Sequence, residues 1–138
     1  MIGPEELVRF TATIGKGEVS ALLMRPGGAT HLVVLGHGAG ADMRSSAMQN
    51  IAEHLAERDI ATFRYNFPFK EYGRGGVDSP KTATATVRAA VAEARRARTV
   101  ADAACRWALI QKKFALVIRM NDGKKPLRIM TILLPIRR

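Results

Sequence analysis

The sequence is poor in cysteine and in long apolar segments, and each shortage excludes a class of protein. Cys105 is the only cysteine, so no disulfide forms within the chain. No cluster of cysteine and histidine has the spacing of a metal site, and we expect neither a metal nor a cofactor. No apolar run approaches the roughly 20 residues that span a bilayer, and the acidic start, Met1 to Glu6, has no signal-peptide core. These absences favour a cytoplasmic protein without a transmembrane segment.

Length and composition indicate a folded domain. Of the 138 residues, 47% are hydrophobic and 25% are charged, values close to globular averages that exclude a disordered chain. A chain of this length buries roughly two-thirds of its unfolded surface when it folds. We therefore expect one hydrophobic core.

The positive charge is confined to one end of the chain. Residues 1–94 contain ten basic and ten acidic side chains, so their net charge is zero. Residues 95–138 contain twelve basic side chains against Asp102 and Asp122, and they carry the whole net charge of +10. Such asymmetry is typical of a basic tail for nucleic acid or an anionic membrane, or of a last third with a different origin. We therefore divide the chain into a domain at 1–94 and a basic tail at 95–138.

Alternating apolar and polar residues predict a β-hairpin near the start. Val8 to Ile14 alternates as a half-buried strand does, and Gly15 to Gly17 makes a turn. Glu18 to Arg25 is the second strand, which pairs with the first.

A parallel βαβ unit follows the hairpin. Leu32 to Leu35 is a short aliphatic run, typical of a strand buried on both faces. Ser45 or Ser46 caps the next helix, Asp59 ends it, and Ile60 to Tyr65 is another strand. The helix places its apolar residues on one stripe: Met48, Ile51, Ala52, Leu55 and Ala56. Two strands joined by one helix imply a parallel sheet.

The remaining pattern is a loop, a helix and a hairpin. Phe67 to Pro80 is rich in glycine, proline and aromatic residues, which predicts a loop. Lys81 to about Arg98 is Ala-rich and amphipathic, which predicts a second helix. In the tail, Phe114 to Met120 and Leu127 to Leu134 flank the turn at Asn121-Asp122-Gly123, which indicates a hairpin without catalytic residues.

Two motifs carry a resemblance to a known family. A strand that ends in His37-Gly38-Ala39-Gly40 is followed, one helix later, by a strand that ends in Arg64-Tyr65-Asn66-Phe67-Pro68. With the Arg25-Pro26-Gly27 turn, this pattern resembles small α/β-hydrolases of the dienelactone-hydrolase-like group, over about Val19 to Ala94. It is most similar to the subgroup whose domain occurs in a testis-expressed hydrolase-like protein and in a histone-acetyltransferase-complex subunit. Asp59 departs from the glycine that relatives usually have there.

The resemblance implies an α/β fold and a site. The fold is the N-terminal part of an α/β-hydrolase sheet, a hairpin and then parallel βαβ strands, with flanking helices. The activity is serine-dependent hydrolysis of an ester, thioester or similar acyl bond, without metal or cofactor. Ala39 would donate one backbone N–H to the oxyanion, Gly38 and Gly40 would shape the turn, and His37 would brace the loop. One such donor contributes about 3 kcal/mol of transition-state stabilisation. The alternative is that the glycines merely make a sharp strand-to-helix turn.

Several other residues have structural interpretations. We expect His31 at a strand start, His54 on a helix surface and Cys105 as a small buried residue. Arg64 pairs with a carboxylate such as Glu71 or Asp78, or is solvated at the surface. Four aromatic residues either line an acyl pocket or cover the sheet edge: Tyr65, Phe67, Phe69 and Tyr72.

The catalytic residues of the family mechanism are absent from this sequence. In this fold the nucleophile sits on a Gly-x-Ser-x-Gly elbow and is followed by an acid and a histidine. None of the serines is flanked in that way: Ser20, Ser45, Ser46 and Ser79. All three histidines precede residue 55, so no downstream base exists. We expect the chain as written to be inactive, with no catalytic residue of its own.

Three hypotheses explain the tail. The first is a truncated or frame-shifted reading of a longer hydrolase gene, because the charge break coincides with the end of the resemblance. The second is a non-catalytic binding module, whose tail strands occupy the exposed sheet edge and whose basic surface contacts nucleic acid or an anionic surface. The third is completion by a partner with the missing strands. If residues 114–134 leave the edge uncovered, we expect self-association through it.

Overall fold

The fold is a mixed sheet with helices on both faces. The computed structural model describes residues 3–29, 31–101 and 130–135. Within these residues the sheet has the order β1-β2-β4-β3-β5. Its strands are β1 Glu5–Thr13, β2 Gly17–Met24, β3 His31–Gly36, β4 Ile60–Tyr65 and β5 Met130–Pro135. The helices are α1 Ser46–Ala56, α2 Pro68–Glu71 and α3 Pro80–Ala101.

The predicted hairpin is confirmed. Strands β1 and β2 pair antiparallel, and Phe10 lies opposite Val19. The register shifts between Thr11 and Thr13, just before the turn, and Gly17 closes the turn with φ of 80°. A left-handed backbone of this kind favours glycine, because a Cβ is strained there.

The predicted parallel βαβ unit is also confirmed. Strands β3 and β4 pair in parallel, with Leu32 opposite Ala61 and Leu35 opposite Arg64, and α1 connects them. Asp59, between α1 and β4, has φ of 55°, a conformation that glycine adopts at little cost and aspartate tolerates. Because of this backbone conformation, a glycine suits the position, although this sequence has Asp59 there.

Alternate residues along the strands face opposite helices. On one face, β3 and β4 contribute Leu32, Val34 and Phe63 to a core shared with α3, which adds Val87 and Ala90. On the other face, Val33 and Leu35 pack against Met48 of α1. This three-layer arrangement confirms the predicted α/β class.

The sequence pattern predicts a loop over Phe67 to Pro80, but part of this segment is helical in the structure. A short helix, α2, begins at Pro68, whose fixed φ suits the first helical position. The Asp78 carboxylate accepts the Phe69 N–H at 3.1 Å, which satisfies one donor at the start of that helix. Helix α3 begins at Pro80 and extends to Ala101, with the Ser79 hydroxyl accepting the Thr82 N–H at its start.

The edge of β3 is paired. Strand β5 runs antiparallel to β3, with Met130 opposite Gly36 and Pro135 opposite His31. Five of its six residues, Met130 to Leu134, lie within the second predicted tail strand. Residues 114–129 of the predicted hairpin lie outside the described residues, as does Cys105. Because β5 covers this edge, the condition under which we expect self-association through β3 is not met.

Candidate active site

The His-Gly-Ala-Gly motif lies in the connection between β3 and α1. Strand β3 ends at Gly36 and α1 begins at Ser46, so the connection spans residues 37–45; we call it the β3–α1 loop. It lies at the carboxyl ends of two neighbouring parallel strands, β3 and β4. Ligands of open α/β sheets bind in the crevice outside the carboxyl ends of the strands.

His37 joins this loop to the end of β4. Its side chain is buried, with 5% of the residue exposed. Nδ1 donates to the Gly38 carbonyl at 2.8 Å, and Nε2 accepts the Phe67 backbone N–H at 3.1 Å. These roles require the neutral ring with its proton on Nδ1. Burial lowers the pKa of His37 below 6.5, against the opposing hydrogen bond to Gly38.

Aromatic side chains surround the His37 ring. Its centroid lies 5.2 Å from that of Phe67 and 5.7 Å from that of Phe69, both in edge-to-face geometry. Tyr65 packs on Phe67 and is buried, so these three aromatic residues belong to the core beneath the loop. Tyr72 is half exposed, and its hydroxyl donates to the Glu18 carbonyl at 2.5 Å.

Met43 is held through both of its backbone groups by side chains from the second motif. The Met43 N–H donates to Asn66 Oδ1 at 2.9 Å, and its carbonyl accepts from an Arg64 guanidinium nitrogen at 3.3 Å. The Met43 side chain is itself buried. The motif at the end of β4 therefore holds the β3–α1 loop, in which the motif at the end of β3 lies.

The predicted partners of Arg64 are wrong. Arg64 is fully buried and forms an ion pair with Glu5, fifty-nine residues away in sequence. It also donates to Gln49 Oε1 of α1 at 2.7 Å. Burial lowers the pKa of the Arg64 guanidinium from its usual value, and the Glu5 carboxylate opposes that shift. A buried cation needs such partners, because its desolvation is otherwise uncompensated.

Glu71 instead organises a second polar cluster beside the loop. Its carboxylate accepts from the Ser20 hydroxyl at 2.7 Å and from Asn66 Nδ2 at 2.9 Å, and Arg9 lies 3.8 Å away. Burial alone raises the pKa of Glu71, but these hydrogen bonds and Arg9 outweigh it and hold the pKa below 4.5. Glu71 is therefore ionised at neutral pH.

The internal hydrogen bonds of the β3–α1 loop form two turns. The Ala41 N–H donates to the Gly38 carbonyl at 3.2 Å, and the Ser45 N–H donates to the Asp42 carbonyl at 3.2 Å. These turns do not use the N–H groups of Ala39 and Gly40. The loop after β3 therefore contains two backbone donors that its own turns leave unused, and backbone donors are what an oxyanion site is built from.

Ser45 lies at the predicted helix start, but its side chain does not cap the helix. The Ser45 carbonyl accepts the Gln49 N–H at 2.9 Å, as an N-cap carbonyl does. Its hydroxyl is buried and has no hydrogen-bond partner among the described residues. Two other serine hydroxyls have partners other than histidine: Ser20 donates to Glu71 and Ser79 donates to Thr82.

The other histidines lie away from the loop. His31 is the first residue of β3, at its opposite end, and His54 is exposed on α1 with Nδ1 at 2.7 Å from the Asn50 carbonyl. In the part of the chain that the structure describes, no group of His, Cys, Asp or Glu is arranged to hold a metal ion. No helix there combines the length and the apolar character that a membrane span needs.

Comparison with known proteins identifies the family. The family model described as an alpha/beta hydrolase domain matches residues 29–112, more than half of the chain. The chain belongs to the α/β-hydrolase family. No curated protein and no solved structure matches it. The match includes the β3–α1 loop and the whole of α3, and it continues past residue 94, where we set the domain boundary.

Sequence reasoning missed three residues of this α/β-hydrolase site. Asn66 bonds to Met43 in the loop, and Glu71 bonds to Asn66. In the sequence, Asn66 stands out only as part of the second motif and Glu71 only as a candidate partner of Arg64, and Met43 has no assigned role. One feature of the sequence could have pointed to this cluster. Asn66 is a polar amide directly after a buried strand, and an amide there needs a hydrogen-bond partner because an unpaired buried amide is costly. The role of Ala39 as an oxyanion donor stays a prediction.

Proposed function

We propose that this α/β-hydrolase domain serves acyl transfer, and that the β3–α1 loop binds the oxyanion of an ester or thioester substrate. In α/β-hydrolases one oxyanion donor comes from the loop between β3 and the following helix. The observation that carries the proposal is the geometry of this loop, whose turns do not use the Ala39 and Gly40 N–H groups. The dienelactone-hydrolase-like group is the subgroup that the two motifs favour.

The backbone conformation of Gly40 and the space around it support this proposal. Its φ is not positive, and a Cβ built on Gly40 meets nothing within 4 Å among the described residues. Neither backbone conformation nor packing there demands a glycine. Close approach of a ligand to the backbone is a physical reason for the missing side chain.

The 138 residues do not supply the rest of the mechanism. A serine hydroxyl is a poor nucleophile without an oriented base, and no Gly-x-Ser-x-Gly elbow is present. His37 is the histidine of the loop, but both of its ring nitrogens are engaged with backbone groups. We therefore propose that the chain by itself does not turn over an ester by the serine–histidine mechanism.

A fluorophosphonate probe tests the absence of an activated serine. Incubation of the purified chain with the probe, followed by intact-mass measurement, is expected to show no adduct. A serine hydrolase labelled in the same tube is the positive control. A single adduct that maps to one serine overturns this part of the proposal.

An anion titration tests the loop. Methylphosphonate, a small tetrahedral anion, is expected to move the ¹⁵N-amide resonances of Gly38, Ala39 and Gly40 in the full chain. Sodium chloride at matched ionic strength is the control, because it screens charge without offering tetrahedral oxygens. If the loop resonances do not move, or move equally in chloride, the oxyanion assignment is wrong.

A second function rests on charge. Residues 95–138 carry the net +10 of the chain, and the described part of that segment presents exposed arginines, Arg95 and Arg96, on α3. The binding of nucleic acid or an anionic surface by this segment would weaken steeply as salt rises. Titrations with single-stranded RNA and with anionic lipid vesicles at low salt test it, and the absence of affinity for both excludes it.

A further inference from the structure

The first turn of the β3–α1 loop, Gly38 to Ala41, is flanked by two contacts with consecutive residues, Asn66 and Phe67. At one end the Phe67 N–H bonds to His37 Nε2, and at the other Asn66 Oδ1 accepts the Met43 N–H. The turn that carries Ala39 and Gly40 lies between these anchors. The direction of its N–H groups therefore depends on both.

Asn66 is itself oriented by its second contact. Its Nδ2 donates to Glu71 Oε2 at 2.9 Å, and a carboxylate accepts but does not donate when ionised. The amide oxygen must then face the Met43 N–H, because the flipped amide would place a donor against a donor. Ser20 holds the other Glu71 oxygen at 2.7 Å, which fixes the carboxylate.

We propose that Asn66 is a positioning residue for the oxyanion site. By fixing Met43, it sets the direction in which the Ala39 and Gly40 N–H groups point, and Glu71 fixes the Asn66 amide in turn. The inference rests on the proposed function, because the turn it positions is the oxyanion turn. It assigns a role to Asn66, a residue that contacts neither the substrate nor the reacting atoms.

Amide hydrogen exchange and NMR shifts of the full 138-residue chain test this role. In Asn66→Ala, exchange at the Met43 amide is expected to accelerate about five- to tenfold, the factor that corresponds to one lost hydrogen bond. The resonances of Ala39 and Gly40 are expected to shift at the same time. Amides of the β1–β2 hairpin, such as those of Val19 and Ala21, report whether the fold is retained.

Two further variants separate positioning from general loosening. Asn66→Asp keeps an oxygen for the Met43 N–H but sets a carboxylate against ionised Glu71, so it is combined with Glu71→Gln, whose amide can donate to it. This double variant is expected to restore slow Met43 exchange to a larger extent than alanine does. Asn50→Ala makes the same change at an exposed asparagine of α1 and is expected to leave the loop resonances unmoved. The inference is overturned if Met43 exchange in Asn66→Ala equals that of the wild-type chain, or if Asn50→Ala moves the loop equally.

The methylphosphonate titration distinguishes this inference from the proposed function. If wild-type loop amides respond and Asn66→Ala weakens that response about fivefold or more, the inference is supported. If both chains respond equally although Met43 exchange has accelerated, Asn66 does not position the donors. If neither responds, the oxyanion proposal fails and positioning for it fails with it, while faster Met43 exchange still assigns Asn66 to holding the loop.

Discussion

The Phe67 backbone N–H donates to Nε2 of His37 across 3.1 Å, and this contact permits one protonation state of the ring. Nε2 must carry a lone pair to accept the bond, while Nδ1 donates to the Gly38 carbonyl at 2.8 Å. A second proton would place one donor against another in a buried site. The β3–α1 loop is thereby coupled to pH.

Acid is expected to weaken the fold through His37. Above pH 6.5 the ring is neutral in both the folded and unfolded chain, and its contribution to stability is complete. As pH falls below 6.5 the unfolded chain binds a proton that the folded chain refuses, so stability falls until the pH reaches the lowered pKa of His37.

Urea unfolding between pH 8 and pH 5 measures this effect. Burial, together with Lys70, lowers the pKa of His37 and outweighs the opposing effects of the Gly38 hydrogen bond, Asp42 and Asp78. His37→Gln keeps an oxygen acceptor for Phe67 and removes the titrating group, so its stability is expected to change less across this range. Equal pH dependence in both chains would assign the effect to other groups.

Removing the carboxylate partner of a buried cation is expected to lower the free energy of unfolding more than replacing the cation itself. Glu5→Ala leaves Arg64 buried without its carboxylate, and we expect a loss of about 2 kcal/mol, between the values for exposed and buried pairs. Arg64→Met removes the charge at similar volume and is expected to cost less in the Glu5→Ala background than in the wild type. Chemical denaturation of the four chains gives this cycle; simple additivity would show that the two residues are not coupled.

Two glycines of the site are expected to respond differently to alanine. A Cβ on Gly36 would lie 2.9 Å from the buried Tyr65 hydroxyl, so Gly36→Ala should destabilise by about 1–3 kcal/mol. Gly40→Ala meets open space and should leave stability unchanged or raise it by less than about 1 kcal/mol. Thermal unfolding compares the two variants, and a large loss in Gly40→Ala would show that the loop packs there.

Strand β5 is expected to suppress association through the sheet edge. A chain that ends at Ala101 keeps β3 but lacks β5, which leaves the β3 edge without its antiparallel neighbour. We expect this shorter chain to self-associate more strongly than the full chain at equal concentration. Light scattering measures both, and equal masses would show that β5 does not protect the edge.

Local patterns in the sequence were sufficient for most of the fold. The hairpin, the parallel βαβ unit and the second long helix follow from period-2 and period-3.6 patterns within short segments. Helix α2 escaped detection because four residues are too short to show a period. The resemblance predicted a site in the β3–α1 loop. This was possible because a glycine-rich turn is recognised from consecutive residues.

The sequence by itself determined the class of fold, the family and the absence of a nucleophile elbow from these residues, since each depends on local order along the chain. Only the tertiary structure decided that Arg64 pairs with Glu5, that Asn66 and Arg64 hold Met43, and that β5 runs antiparallel beside β3. Such contacts join segments far apart in sequence. Their partners depend on where packing of the core places each strand end, which no periodicity within a single segment encodes.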